Sequence, residues 1–448
     1  MKKKGLIAIS VVLISSCLLL IGTASWAIYQ NYKEQESLAG NVTQFSEMNE
    51  SQEESELIED SENQTSNGTE KVEPKSEKIR LMMLGDNLMH MGIVRTGYQA
   101  DGTRNYDFMF EPLKAHLARA DIKITNQETI FGGNELGFSG FPHFNSPTEI
   151  GDAIAKAGFN VVLHASNHSA DQGIKGINHC LDFWEKYPEV TVTGIYKEAN
   201  EENQDISILT IKGVRFAILN YTYGPNMATL QIPIQGHLGM LCNWDKSNGL
   251  IDFTTIHPDV LTDIAKAKEM ADVVIVCPHW GTEYTLVPSS YQKKFAKQMT
   301  EAGADLIIGT HPHVVQPIEW IEADNGNKSL CYYSLGNYVS TQRGEQSMLE
   351  AMAWVTFEVK DDKVELLVEE TGVIPMVCQY KSNPVRHENV YFLDEYTVEL
   401  AASHGIHYYG GAKYTLENLN KWAEEVFGDW LLTSDCVLRD RIETDMWK

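Results

Sequence analysis

Seven short apolar runs constrain this chain most. They span residues 79–84, 122–125, 160–164, 215–220, 272–277, 305–308 and 330–334, and they are rich in β-branched side chains. Amphipathic segments near 107–120, 148–157, 173–186, 259–270 and 288–302 lie between several of them. Runs of this length and composition read as strands buried on both faces, and the intervening segments as helices. The result is an α/β arrangement. Ligands of such sheets bind beyond the carboxyl ends of the strands, so the residues just after each run carry the functional reading.

Gly85-Asp86 follows the first run, with His90 slightly further on, and Asn126-Gln-Glu128 follows the second. The third is followed by Ser166-Asn167-His168-Ser-Ala-Asp171-Gln-Gly173, and the run at 272–277 by His279-Trp-Gly-Thr-Glu283-Tyr284. The run at 305–308 delivers His311 and His313. Each of these has an ordinary reading: Gly-Asp as a turn, Asn-His as a helix cap, His beside Trp as a packed ring. Together they supply carboxylates, a carboxamide and several imidazoles without a thiolate. That donor set suits one or two divalent cations of Mn, Fe or Zn, with positions left for water and substrate. A carboxylate can bridge two cations about 3.5–4 Å apart, which is a hydrolytic geometry.

In order and spacing these blocks, with His311-Pro-His313-Val-Val-Gln316 and Tyr333-Ser-Leu-Gly-Asn337, resemble the CapA family of poly-gamma-glutamate capsule synthesis proteins. That family is similar to the calcineurin-like metallophosphatases. The resemblance covers roughly residues 79–380 and implies a four-layer αββα sandwich of metallophosphatase type. It also implies a membrane-anchored bacterial protein that makes, exports or attaches an anionic gamma-linked glutamate polymer. By motif, Asp86 resembles the first-metal aspartate and Glu128 the bridging carboxylate. Asn167, His279 and His311 would complete a second metal, His313 would return to the first, and His168 would act on the leaving group. The Asp-x-His motif of the metallophosphatase superfamily has Leu88 in place of its histidine, with His90 as a candidate substitute. On this partition the first metal is the weaker one, and replacing His311 should cost more bound metal than replacing His313. Arg343 is a candidate for pairing a substrate carboxylate or phosphate. The Ser334-Leu-Gly336-Asn337 block reads as structural.

The remaining sequence frames this core. Lys2 to Lys4 precede an apolar stretch from Leu6 to about Ile28, long enough for a spanning helix that leaves the main domain outside. Residues 1–30 are thus read as an anchor, with a cleaved signal peptide as the rival reading, and 31–77, rich in Glu, Ser, Asn and Gln, as a disordered acidic tether. Residues 78–380 form the main domain. Residues 352–377 alternate like a hairpin around Asp361, and 381–448 form a helical extension with Trp422 and Trp430 to pack on it. A net charge of −26 without a basic stripe argues against nucleic acid as a partner. The seven cysteines show no CxxC spacing and read as buried thiols. No Walker loop or G-x-S-x-G is present, so an ATP-dependent ligase step would belong to another chain. Two functions follow: a surface metallohydrolase or transferase acting on a phosphoester or gamma-glutamyl amide, or a non-catalytic, polymer-binding factor that joins other membrane subunits in an export complex.

Overall fold

The computed structural model describes residues 76–199, 206–226, 234–245, 247–361 and 363–436. The expected anchor, and all but the last residues of the tether, lie outside them. No helix among the described residues is long and apolar enough to cross a membrane. In chain order the strands are β1 (Glu77–Asn87), β2 (Ile122–Asn126), β3 (Val161–Leu163), β4 (Thr191–Thr193), β5 (Ser207–Ile211), β6 (Val214–Thr222), β7 (Cys242–Trp244) and β8 (Ile251–Ile256). Then come β9 (Val273–His279), β10 (Leu306–Ile308), β11 (Val315–Glu322), β12 (Lys328–Leu335), β13 (Asn337–Val339), β14 (Leu349–Lys360), β15 (Lys363–Leu366), β16 (Gly372–Lys381) and β17 (Arg386–Phe392).

Two large sheets result. The first runs β17-β16-β14-β1-β2-β3-β4, with β13 added to β1 and β15 to β14. Its β1 to β4 are parallel, whereas β14, β16 and β17 extend it antiparallel from β1. The second runs β11-β12-β10-β9-β6-β5, with β6, β9, β10 and β12 parallel and an antiparallel strand at each edge.

Continuously apolar strands can bury both faces, and these do. In β1, Ile79, Leu81 and Met83 face a core shared with Ile218 of β6 and Ile275 of β9, so the two sheets pack face to face. The alternate residues Met82 and Leu84 turn outward, onto a second core with the helices Glu149–Ala157 and Gly173–Trp184. Val274 and Val276 of β9 likewise meet the helices Pro258–Met270 and Ser290–Ala302 on the far side. The order of layers is therefore helices, sheet, sheet, helices.

The helix Ser290–Ala302 starts with a capping box between Ser289 and Gln292, which satisfies two orphan backbone donors. The helix expected over 107–120 forms instead as two three-residue turns, Asp107–Met109 and Glu111–Leu113, followed by a short helix Lys114–Leu117. Pro112, which lacks an N–H, prevents one continuous helix there. The expected C-terminal helices form at Val398–Ser403 and Leu416–Phe427. Leu419, Ala423 and Phe427 close the end of the core between the sheets, with Trp422 and Trp430 partly buried against it. Among the described residues every cysteine is a free thiol.

Candidate metal centre

The loops leaving the carboxyl ends of β1, β2, β3, β9 and β10 are joined by hydrogen bonds into one buried cluster. Gly85 makes the approach feasible, because a Cβ there would lie 2.1 Å from the Gly336 carbonyl oxygen. The Asp86 N–H donates to that same carbonyl at 3.0 Å, which fixes the end of β1 against the start of β13. Asp86 is fully buried. Its Oδ1 accepts from Asn126 Nδ2 at 2.6 Å, and its Oδ2 accepts from the His311 N–H at 3.1 Å. That second bond holds the turn carrying both histidines, which have φ of +96° at His311 and +55° at His313. Such conformations are strained for side chains of this size, and they persist where surrounding contacts impose them.

Glu128 is the least satisfied group in the cluster. It is 1% exposed, and neither carboxylate oxygen has a hydrogen-bond partner. Oε1 lies 3.8 Å from Nε2 of His279 and 3.8 Å from Nε2 of His313. Burial pushes the Glu128 carboxyl well above the usual carboxylate range. Burial alone would lower His313, but the Glu128 and Asp86 carboxylates outweigh it and hold the ring at about 9. Nδ1 of His313 lies 3.0 Å from Asn337 Oδ1 and 3.4 Å from Asp86 Oδ2. With that nitrogen engaged, Nε2 faces Glu128, the way a partner behind a ligating imidazole orients it. Asp86, Glu128 and His313 each offer a ligand atom, all within 4.8 Å of one another.

Next to this group, His279 is fully buried, with Nδ1 3.0 Å from Thr310 Oγ1 and Nε2 2.9 Å from Asn167 Oδ1. Burial, then the charges of His311 and His313, lower its pKa well below the ordinary imidazole value. His168 is 4% exposed, and its Nδ1 lies 2.7 Å from Asp171 Oδ2. Asp171 also accepts the Phe144 N–H at 2.7 Å, and the Phe144 ring packs edge-on against His168. His168 Nε2 is left facing Asn226, whose Oδ1 accepts from Asn167 Nδ2.

Asp86, Glu128, Asn167, His168, His279, His311 and His313 are thus brought together, with the expected first-metal set the one whose ligand atoms converge. Asp86, Glu128 and His313 converge, and that is the half weakened in sequence by Leu88. Leu88 is buried, 2% exposed. His90 does not replace its missing ligand: Nδ1 accepts the Thr341 N–H at 3.2 Å and the ring packs edge-on against Phe144. Burial lowers His90 to about 3 and keeps it neutral. Arg343 is exposed and lies 4.2 Å over the Tyr409 ring, on the C-terminal cover. Sequence reasoning missed the supporting roles of Asn126, Thr310 and Asn337, and the position of Glu283 beside His311 and His313. Asn337 was legible only as a structural residue, since its contact with His313 is set by the tertiary fold.

The fit to a divalent cation can be judged from these contacts. Keeping a buried carboxylate ionised is costly, burial pushes Glu128 up accordingly, and neither of its oxygens has a hydrogen-bond partner, the His313 Nε2 lying 3.8 Å away. A cation between Asp86, Glu128 and His313 removes that deficit with oxygen and nitrogen donors of the right kind. The residues fit the group.

A family model described as bacterial capsule synthesis protein PGA_cap matches residues 80–342, which include every residue of the cluster. The chain belongs to this family, the CapA family. The capsule biosynthesis protein CapA of Bacillus anthracis is 30% identical over 344 residues, 71% of this chain and 75% of that protein. The PGA biosynthesis protein CapA of Bacillus subtilis (strain 168) is 30% identical over 203 residues, 45% of this chain and 47% of that one. A crystal structure of a hypothetical protein from Thermus thermophilus covers 69% of this CapA-family chain and all of its own at 14% identity, with a TM-score of 0.38. That likeness is too loose to bear on fold or function.

Proposed function

We propose that this chain is a metal-dependent hydrolase or transferase of the cell envelope, acting in the synthesis, export or attachment of a poly-gamma-glutamate capsule. The observation that carries the catalytic part is the buried Glu128 carboxylate, without a hydrogen bond and flanked by Asp86, His279 and His313. The names of the two CapA relatives support the capsule part. Asp86, Glu128 and His313 would hold a divalent cation, with His279 and His311 beside it. A bound cation would supply Lewis acidity, polarising the oxygen of the scissile bond and bringing the pKa of water toward neutrality.

The chain's own residues supply the rest. Asn126 and the His311 N–H orient Asp86, and Asn337 orients His313. Asp171 holds His168 through Nδ1, which leaves Nε2 to pass a proton to the departing group. Positioned proton transfer of this kind contributes on the order of 10²–10⁴ in rate. The metallophosphatase-type sandwich, the N-terminal anchor and the extracellular placement of the main domain belong to the same reading.

The test is metal analysis followed by hydrolysis assays on a phosphoester and on a gamma-glutamyl amide, with wild type and His168→Ala. Turnover of one bond type that depends on added cation and falls by about 10²–10⁴ in the variant is expected. A cation-free protein that keeps its cellular role after His279 and His311 are both replaced would leave only a non-catalytic assembly factor.

A further inference from the structure

We infer that Asn226 is a catalytic residue of this centre: its Nδ2 donates to the departing atom of the substrate, beside His168, and this pair of donors selects a departing oxygen over a departing amine. The inference rests on the reading of the cluster as a hydrolase or transferase, and it decides between the two bond types that this reading leaves open.

The direction of the Asn226 amide is fixed by its neighbours. Asn167 directs Oδ1 at His279 Nε2, 2.9 Å away, so its Nδ2 points the other way and donates to Asn226 Oδ1 at 3.2 Å. The Tyr223 hydroxyl donates to the same Oδ1 at 3.2 Å. The Asn226 N–H donates to the Asn167 carbonyl at 3.1 Å, which ties the two segments together through the backbone as well. The Tyr223 ring in turn packs on His311, with centroids 4.7 Å apart. With Oδ1 taken by two donors, the amide nitrogen of Asn226 faces His168 Nε2 at 3.4 Å. Asp171 occupies the other ring nitrogen, so Nε2 is the atom from which a proton passes to the departing group.

The count of lone pairs then selects the departing atom. Once His168 carries a proton on Nε2, that nitrogen and Asn226 Nδ2 are both donors, and neither satisfies the other. One acceptor placed before them serves both only if it has two lone pairs. An ester oxygen has two: one takes the His168 proton and one accepts from Asn226, while the pair of the breaking bond still faces the phosphorus or carbon it is leaving. An amide nitrogen at a tetrahedral carbon has a single lone pair, which the proton consumes, and the Asn226 donor is left without a partner. A site that offers a donor discriminates against a group unable to accept it. Overall one water is consumed. Its hydroxyl goes to phosphorus or carbon, its other proton makes good the one His168 gave up, and the oxygen leaves as an alcohol.

The surroundings leave room for that alcohol. Asn226 is exposed, unlike Asn167 and His168. Tyr223, which holds it, also lines a cleft of about 560 Å³ with Phe253, Tyr291 and Glu283. Aromatic walls of this kind suit an aryl or other apolar body on the departing oxygen.

The experiment uses the full chain with Mn²⁺, a series of aryl phosphates whose phenols differ in acidity, and a gamma-glutamyl anilide as the amide probe. Wild type is expected to cleave the phosphates and not the anilide. Asn226→Ala should lower kcat by on the order of 10²–10³, the loss that follows removal of one donor to a developing oxyanion, with KM little changed. The loss should grow as the phenol becomes less acidic, because a poorer departing oxygen carries more charge to stabilise. Asn226→Asp keeps the oxygen that Asn167 and Tyr223 donate to and loses the donor, so it should not recover activity. A purely structural role predicts the reverse: recovery in Asn226→Asp and one loss for every phenol. Imidazole ¹⁵N spectra of the cation-free protein give a readout apart from turnover, with the Nε2 resonance of His168 moving in Asn226→Ala. Because Asn226 is exposed, both variants should unfold at the wild-type temperature. Preference for the anilide, a uniform loss across the phenols, or an unmoved His168 resonance overturns the inference and leaves the metal centre standing. Wild type that cleaves neither bond overturns the hydrolase reading and the inference with it.

Discussion

Replacing His313 with alanine should remove more bound cation than replacing His311. The two rings are two residues apart on one turn, and by sequence motif His311 is the better supported ligand. In the structure His313 joins both ligand groups, one with Asp86 and Glu128 and one with Glu283 and His311, whereas His311 joins only the second. Losing a direct ligand costs at least the roughly 10–100-fold that the loss of an outer partner costs, or about 1.4–2.7 kcal/mol. His313→Ala applies that loss to the group around Glu128 and leaves it with Asp86 and Glu128 alone. His311→Ala leaves Asp86, Glu128 and His313 intact. Metal counted after dialysis against a fixed free Zn²⁺ concentration, with calorimetry for affinity, distinguishes them. His311→Ala is expected to keep the cation held by Asp86, Glu128 and His313, and His313→Ala to lose it. A His311→Ala protein that loses its cation while His313→Ala keeps it would refute the reasoning.

Other consequences follow from the same contacts. Glu128→Gln should abolish the stabilisation of the protein by added cation, read as the shift of the urea midpoint with and without Zn²⁺, because it removes a ligand carboxylate that Asp86 and His313 face. Gly85→Ala should shift Asp86 away from the cluster and lower both stability and cation affinity, read by thermal unfolding with and without Zn²⁺, since the added Cβ would sit 2.1 Å from the Gly336 oxygen. Burial holds His164 down at about 3, and the ring accepts the Trp184 indole N–H at 2.9 Å. Above its unfolded value of 6.5 both states are neutral and pH has no effect through this group. Below that value the unfolded chain gains a proton that the folded one refuses, so stability falls by up to about 1.4 kcal/mol per pH unit. His164→Gln should therefore flatten the decline of unfolding free energy between pH 6 and pH 4, and an unchanged slope would count against a buried neutral ring. Ile124→Ala, in the core between the sheets, should cost about 2–5 kcal/mol in urea unfolding.

Much of the fold was legible because β1, β2, β3, β6, β9, β10 and β12 are buried on both faces, and such strands leave a continuous apolar signature. Strands that pair at edges do not. β5 is only partly buried, and β11 carries Pro317 and alternates between core and solvent, so neither stands out as a run. The segment 107–120 has helical periodicity, but Pro112 breaks it into turns. At the site, residues placed directly after strands could be named from position alone. Their pairing could not, because it depends on how the 280–284 turn is bonded to Pro312 and how Asn337 reaches His313 from β13. Glu283 lay inside a recognised motif, yet its carboxylate meets His311 and His313 only across that tertiary contact. The N-terminal anchor and tether, read from hydropathy and composition, fall outside the described residues.

The central claim is that a divalent cation sits between Asp86, Glu128 and His313. Crystals soaked in Mn²⁺ and measured for anomalous scattering test it most directly. The account predicts a strong peak within ligand distance of Glu128, with an oxygen of Asp86 and Nε2 of His313 turned toward it. A map with no peak at Glu128, under conditions where the protein is active, would contradict it.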